Sequence, residues 1–450
     1  MANVQHFGAK GDGKTDDTAA LSHAVQQGDG QLVFPRGDYR ISQPLFVALD
    51  RHGRFSIDGL GGQARLIMTG PGPAIHLVGT HKRTAAPEDF AEGVWQTERM
   101  PTIRGLEIVG AHAQADGIRL EGVMQPTLLG VLIRRCRHGV HLTTRARNVL
   151  IADCHIYHNT GVGIFLDRVN LHQTNIHGNH ISYCLQGGIK IVGSEVRNIQ
   201  ICSNDIEYNY DVKADASADV LLDCRAGTVR EGTITGNTIQ ARLSPNGANV
   251  RLLGVGKDNP NAVGLFVITG NLIGSEETAI HLHACRGVAV TGNSLYSGYR
   301  RALWLEDSES VVISGNTIDH NPEYRGRSND VIVLQRCRNV NLSGLVQQHT
   351  LEAEGAVEAS LAIEACHGVN VVGCQIVNAR TRGVLVAGSS LVRIADCTIR
   401  GREGDKSYRC AVELRKESAV MVVNNFLGRG TEGALLPAKP DGIAAGNVEV

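Results

Sequence analysis

The chain has 450 residues, with 44 Lys and Arg against 45 Asp and Glu and a formal net charge of −1 at pH 7. So even a balance provides no cationic surface for nucleic acid or an anionic membrane, and no apolar run reaches the roughly 18–20 residues that span a bilayer. Aromatic residues make up only 4% while Gly numbers 53, a composition that suits stacked aliphatic strands joined by tight turns.

The N-terminal residues Met1 to Phe7 lack the basic and apolar regions of a secretory signal, which favours a cytoplasmic location. The 11 Cys are odd in number and form no CxxC pairs, so neither zinc nor a disulfide framework is expected, and they read as small buried thiols. The run Phe7-Gly-Ala-Lys-Gly-Asp-Gly-Lys-Thr-Asp-Asp-Thr18 ends in helix-start chemistry, with Asp16 or Asp17 placed to cap a helix over 18–27. Its spacing is not that of a phosphate loop. A cap over the open first turn of a repeat is the better reading.

Together with Gly30-Gln-Leu-Val-Phe-Pro-Arg-Gly-Asp-Tyr-Arg-Ile41, this run resembles the N-terminal signature of the pectate-lyase-like, right-handed parallel β-helix superfamily, found in rhamnogalacturonase-like proteins, mannuronan epimerases and phage tailspikes. The resemblance covers about the first 40 residues. It implies an all-β, single-stranded right-handed parallel β-helix with an N-terminal capping helix, a carbohydrate ligand, and a homo-oligomer, a trimer, as a possible assembly.

Residues 80–100 break the strand pattern and read as a loop projecting from the helix. Similar insertions fall at 208–217, 243–249, 256–261, 320–329 and 349–359. Between Gly139 and Glu306 one pattern returns: Gly139-Val-His-Leu-Thr143, Gly163-Ile-Phe-Leu-Asp167, Gly188-Ile-Lys-Ile-Val192, Ala279-Ile-His-Leu-His283, Ala302-Leu-Trp-Leu-Glu306. Alternation of period two marks a half-buried strand, and its recurrence every few tens of residues marks a stacked array. One domain of about 12 rungs is expected, with cap and first strands over 1–45, regular rungs over 102–432 and an end cover over 433–450.

Two inward registers follow. Aliphatic residues recur as Leu120, Leu142, Leu166, Ile191, Leu222, Leu252, Leu282, Leu305, Leu334, Ile363, Val386 and Leu414. A second column runs Cys136, Cys154, Asn179, Asn204, Asn237, Asn271, Asn293, Asn316, Cys374, Cys397 and Asn425, where Asn is expected to take the left-handed bend and to bond its neighbours.

Function is sought on the two outward columns. Asp167 and Asp223 lie two rungs apart, roughly 9–10 Å at the backbone, close to the about 6.5–9.5 Å between the carboxyls of an inverting glycosidase. Lys190 lies between them and would keep a carboxylate ionised. These three are the expected catalytic residues. Arg119, Glu121, His141, Arg225, Arg251, His281, His283, Trp304 and Glu306 are the expected sugar-binding residues, with Trp304 as a stacking platform and His283 with Glu306 as a further acid/base pair. Two His and a Glu are reasonable metal ligands, but a binding subsite is the reading adopted; no metal and no cofactor are expected.

The reaction expected is hydrolysis of a glycosidic bond in a poly- or oligosaccharide. Alternatives are β-elimination from a polyuronide by Lys190 or Arg251 with Arg119 or Arg225 on the carboxylate, transglycosylation of the inulin fructotransferase kind, or glycan binding without catalysis. The paired Asp-Asp, Gly-His-Gly and Arg-x-Lys motifs of polygalacturonases and the Asp-Pro-His-Glu motif of mannuronan epimerases do not occur on these rungs.

Overall fold

A computed structural model describes residues 2–82, 91–211, 213–324, 328–348, 358–437 and 442–450. Two compact units divide it, Met1–Gly232 and Thr233–Val450. Each is a stack of coils whose strands pair in parallel with those of the next coil, which makes it a parallel β-helix.

In the first unit the aliphatic register holds from rung to rung. Leu120 pairs with Leu142, Leu142 with Leu166, Leu166 with Ile191 and Ile191 with Leu222, and all five are at most 1% exposed. Burying each such side chain stabilises the fold by roughly 1.5–3 kcal/mol. Because the strand period is two, a slip of one residue would turn this column to solvent, so the register is fixed by burial. The coils begin before 102: Ala2–Asn3 pairs with Gln31–Val33, and Gly72–Val78 with Ala115–Met124.

The helix Thr18–Gln27 buries Leu21, Ala24 and Val25 and packs on the strand Leu45–Ala48. Asp16 supplies its cap, accepting from the Thr18 amide at 3.0 Å and from the Thr18 hydroxyl at 2.5 Å. Asp17 does something else. It is 1% exposed and accepts from the amides of Lys10 and Gly11 at 2.7 and 3.0 Å, so the glycine-rich run folds around a carboxylate of its own. The 80–100 segment is partly helical over Val94–Glu98, and Glu98 fastens it by accepting from the Thr80 amide and hydroxyl at 2.7 and 2.5 Å. Residues 83–90 and 349–357 lie outside the described residues.

In the second unit the same register runs through Leu252, Leu282, Leu305, Leu334, Ile363, Val386 and Leu414. The asparagine column is a hydrogen-bonded ladder. Asn293 Oδ1 accepts from the Asn271 amide and Nδ2 at 3.0 and 2.9 Å, while its own Nδ2 reaches Ile268 O and Asn316 Oδ1, each at 3.0 Å. The left-handed bend falls one residue earlier than the sequence suggests, on Gly270, Gly292 and Gly315 with φ of 63°, 61° and 59°. Gly makes the turn, and Asn satisfies the backbone that the turn leaves unpaired.

Cys136 does not share this column. In the first unit it belongs to a second ladder, its amide donating to Asn159 Oδ1 at 2.9 Å as the Cys184 amide donates to Asn209 Oδ1 at 3.0 Å. All 11 Cys are free; ten are buried and Cys202 is partly exposed. The stretch expected as an end cover instead continues the coil: Leu435–Leu436, Gly442–Ala445 and Val448–Glu449 pair in parallel with the strands before them. No helix among the described residues is long and apolar enough to cross a membrane.

Removing one rung of the ladder should strand buried partners at about 1–3 kcal/mol each. Asn293→Ala is expected to destabilise the protein by about 2 kcal/mol or more, read as a lowered urea midpoint in circular dichroism. The exposed change Val312→Thr should stay within about 0.5 kcal/mol.

Candidate functional site

Outward side chains on the first strand of each coil align as the alternation requires. In the first unit one column runs His76, Arg119, His141, Phe165, Lys190, Leu221 and its neighbour runs Val78, Glu121, Thr143, Asp167, Val192, Asp223. Asp167 and Asp223 therefore do lie in one column with a single rung between them.

Of the two, Asp223 is the one held ionised, and its main partner is Arg225 rather than Lys190. Asp223 is gripped at both oxygens by Arg225, Nε to Oδ1 at 2.8 Å and Nη2 to Oδ2 at 2.6 Å. Burial works to raise its pKa, but donation from the Arg225 side chain and amide outweighs that, with Lys190 adding a smaller Coulombic pull, so the carboxyl stays below its ordinary value. An ionised carboxylate held in a guanidinium fork is not the proton donor of the pair, and Arg225 is engaged by it.

Asp167 sits instead beside His141 Nε2 at 3.4 Å and Arg168 Nη2 at 3.0 Å. Glu121 lies 3.5 Å from His76 Nε2 and 3.4 Å from Arg119 Nη2. His141 stacks on Phe165, with ring centroids 5.3 Å apart. Burial, reinforced by the Arg119 charge, lowers the pKa of both His76 and His141 and keeps them neutral. His76 falls outside the regular rungs expected from 102 onward, although it occupies the outward slot of Ala-Ile-His-Leu, the same pattern as at His281.

In the second unit the columns run Arg251, His281, Trp304, Val333 and Leu253, His283, Glu306, Gln335. Arg251 and His281 are only 3% and 5% exposed, too buried to hold sugar in the open. Arg251 Nη2 donates to Asn246 O at 2.5 Å and its Nε donates to His281 Nδ1 at 3.0 Å. Burial pushes the Arg251 pKa down to about 10, which leaves it charged at neutral pH. Since His281 Nδ1 accepts, its proton is on Nε2, which donates to Glu306 Oε1 at 3.1 Å.

Trp304 is held rather than open. The His281 ring stacks on it with centroids 4.0 Å apart and planes 8° apart, and the Arg301 guanidinium lies 4.2 Å from its centroid. These two contacts cover much of the ring, and Trp304 is left only partly exposed. Its Nε1 donates to Gln335 Oε1 at 3.4 Å.

Glu306 is the hub. His281, donating to it, and His283 beside it hold its carboxyl well below the usual range, and Arg336 Nη2 lies 3.3 Å from Oε2. His283 Nδ1 is 3.2 Å from Glu306 Oε1 and 4.0 Å from Asp307 Oδ2. Glu306, and Asp307 more weakly, raise the His283 pKa against the burial that would lower it. With Nδ1 turned to Glu306, Nε2 remains for proton exchange. His283 lines a cavity of about 480 Å³.

His283, Glu306 and Asp307 also have donor atoms within 4.8 Å of one another, the spacing of a metal triad. Arg336 already occupies both carboxylates, donating to Asp307 at 2.8 and 2.7 Å, and a cation there would meet its charge. Neither Arg336 nor Asp307 stands in the alternating columns; both sit at the turn after the strand, with φ of 55° and 52°, where period-two reasoning is blind.

A family profile for the right handed beta helix region matches residues 93–239 and 224–431, and one for rhamnogalacturonase A/epimerase, pectate lyase-like, matches residues 1–52. Alginate lyase 7 of Azotobacter vinelandii is 52% identical over 44 residues, 9% of this chain and 5% of that protein. The protein YobO of Bacillus subtilis (strain 168), provisionally named as phage-related, is 24% identical over 383 residues, 76% of this chain and 43% of its own length. The chain thus spans less than half the length of these relatives. Among solved structures, the pre-mature bacteriophage phi29 gene product 12 aligns with a TM-score of 0.57 at 14% identity, over 100% of this chain and 56% of that one. The Dettilon tailspike protein aligns with a TM-score of 0.53 at 13% identity, over 82% and 65%. At such identities these likenesses concern the fold. The stacked parallel coils and the span of the matching profile lead to one conclusion: the chain belongs to the right-handed β-helix family.

Proposed function

We propose that the protein acts on a poly- or oligosaccharide bound on the outward face of the second unit and hydrolyses a glycosidic bond, His283 protonating the leaving oxygen as water attacks the anomeric carbon and gives up its proton to solvent, from which His283 is recharged. The observation that carries this reading is the His283–Glu306 pair. Glu306 is ionised and holds a half-buried histidine with a raised pKa against a cavity. A proton donor whose pKa is raised by a fixed negative charge beside it is an arrangement suited to acid catalysis. Asp223, which the sequence favoured, is ionised and tied to Arg225; Asp167, beside His141 and Arg168, is left as part of a polar binding surface with Glu121 and Arg119. Arg251, His281 and Trp304 act as positioning residues: their packing fixes the face of Glu306 that meets His283.

The carbohydrate ligand draws support from the relative named as an alginate lyase and from the polar, carboxylate- and histidine-rich outward columns. Incubation with a panel of neutral and acidic glycans is expected to yield new reducing ends without an unsaturated product absorbing in the ultraviolet. Unsaturation would replace hydrolysis by elimination. Binding without new ends would make the chain a glycan-binding module.

A second expectation concerns the pair itself. The His283 ring, followed by NMR, should titrate above the ordinary histidine value, and Glu306→Gln should lower that pKa, because the charge that favours imidazolium is gone. A His283 pKa unmoved by Glu306→Gln would show that the two do not interact.

A further inference from the structure

We infer that the cavity beside His283 is a subsite for an anionic substituent of the sugar, a carboxylate or a sulfate ester. Its wall carries Lys257, Arg286, Arg336 and Arg338 against Asp307 and Glu309, an excess of two positive charges before His283 is counted. The excess is built by register. Arg286, Glu309 and Arg338 occupy equivalent positions on three successive coils, so one carboxylate stands between two guanidinium groups. Glu309 binds Arg286, at 3.2 Å, and Arg336 is taken by Asp307. Among the described residues neither Arg338 nor Lys257 has a carboxylate partner.

Lys257 lies in the short turn Gly256–Asp258, which Gly256 starts with a φ of 64°, and this turn forms part of the same cavity wall. Guanidinium forks match the planar oxygens of carboxylates and sulfates, whereas the same charges oppose a divalent cation. Val255, Pro260 and Ala284 supply an apolar part of the wall, as a sugar-sized site needs beside its polar contacts. The subsite rests on the glycan reading above and narrows it to acidic glycans.

The test is binding by isothermal titration to polygalacturonate, dextran sulfate and unmodified dextran, with wild type and the double variant Lys257→Gln/Arg338→Gln. Both residues are exposed, so the fold should survive, and circular dichroism checks this. The wild type is expected to prefer at least one anionic polymer over dextran by tenfold or more, with weakening as salt rises. The polymer preferred tells carboxylate from sulfate. The double variant should lose about tenfold on that polymer and keep its dextran affinity. Equal affinity for neutral and anionic glycans, or an unchanged double variant, overturns the subsite while leaving the glycan reading intact. If a wider glycan panel also meets neither binding nor cleavage by the wild type, both fall together.

Discussion

Everything in this molecule depends on the parallel register between neighbouring coils. Each inward aliphatic sits over the next, so a shift of one residue on any strand would expose the whole column. The same lock places every outward side chain a fixed step from its equivalents on adjacent coils. Chemistry is therefore composed by stacking. Arg251 meets His281 and His281 meets Glu306 because their strands pair in register, not because they are near in sequence.

Stacking also decides which groups are available. In the first unit Asp223 is neutralised by a neighbour two residues away, whereas in the second unit Glu306 collects two histidines and an arginine and passes its field to His283. The gradient from buried Arg251 to half-buried His283 keeps the charged support dry and the proton-carrying ring accessible. Low solvent access strengthens each of these contacts and makes any unpaired member costly.

The sequence made the stacked coils readable because two periods coincide, alternation along the strand and return of the coil. Leu252 to Leu414 and the Gly-Asn ladder could be written down from it. Cys136 was misplaced because Cys and Asn share a slot in two different ladders, and only hydrogen bonding separates them. Trp304 and Arg251 stand in the expected columns, but their packing was not legible, since period says which way a side chain points and not that Arg301 and the segment around Asn246 pack against it. Arg336, Asp307 and Lys257 carry no periodic signal at all, because turns and insertions obey local backbone demands. Arg225 beside Asp223 was the legible warning: two residues apart around a bend, the pair is close enough to neutralise itself.

In the proposed reaction His283, charged with the help of Glu306, delivers the proton. The dependence of kcat/KM on pH for a glycan that the protein cleaves tests it most directly. The rate should fall as pH rises through the His283 pKa, and that descending limb should be missing from the residual activity of His283→Gln. A rate that rises over the same range, or a His283→Gln profile identical to that of the wild type, would rule out His283 as the proton donor.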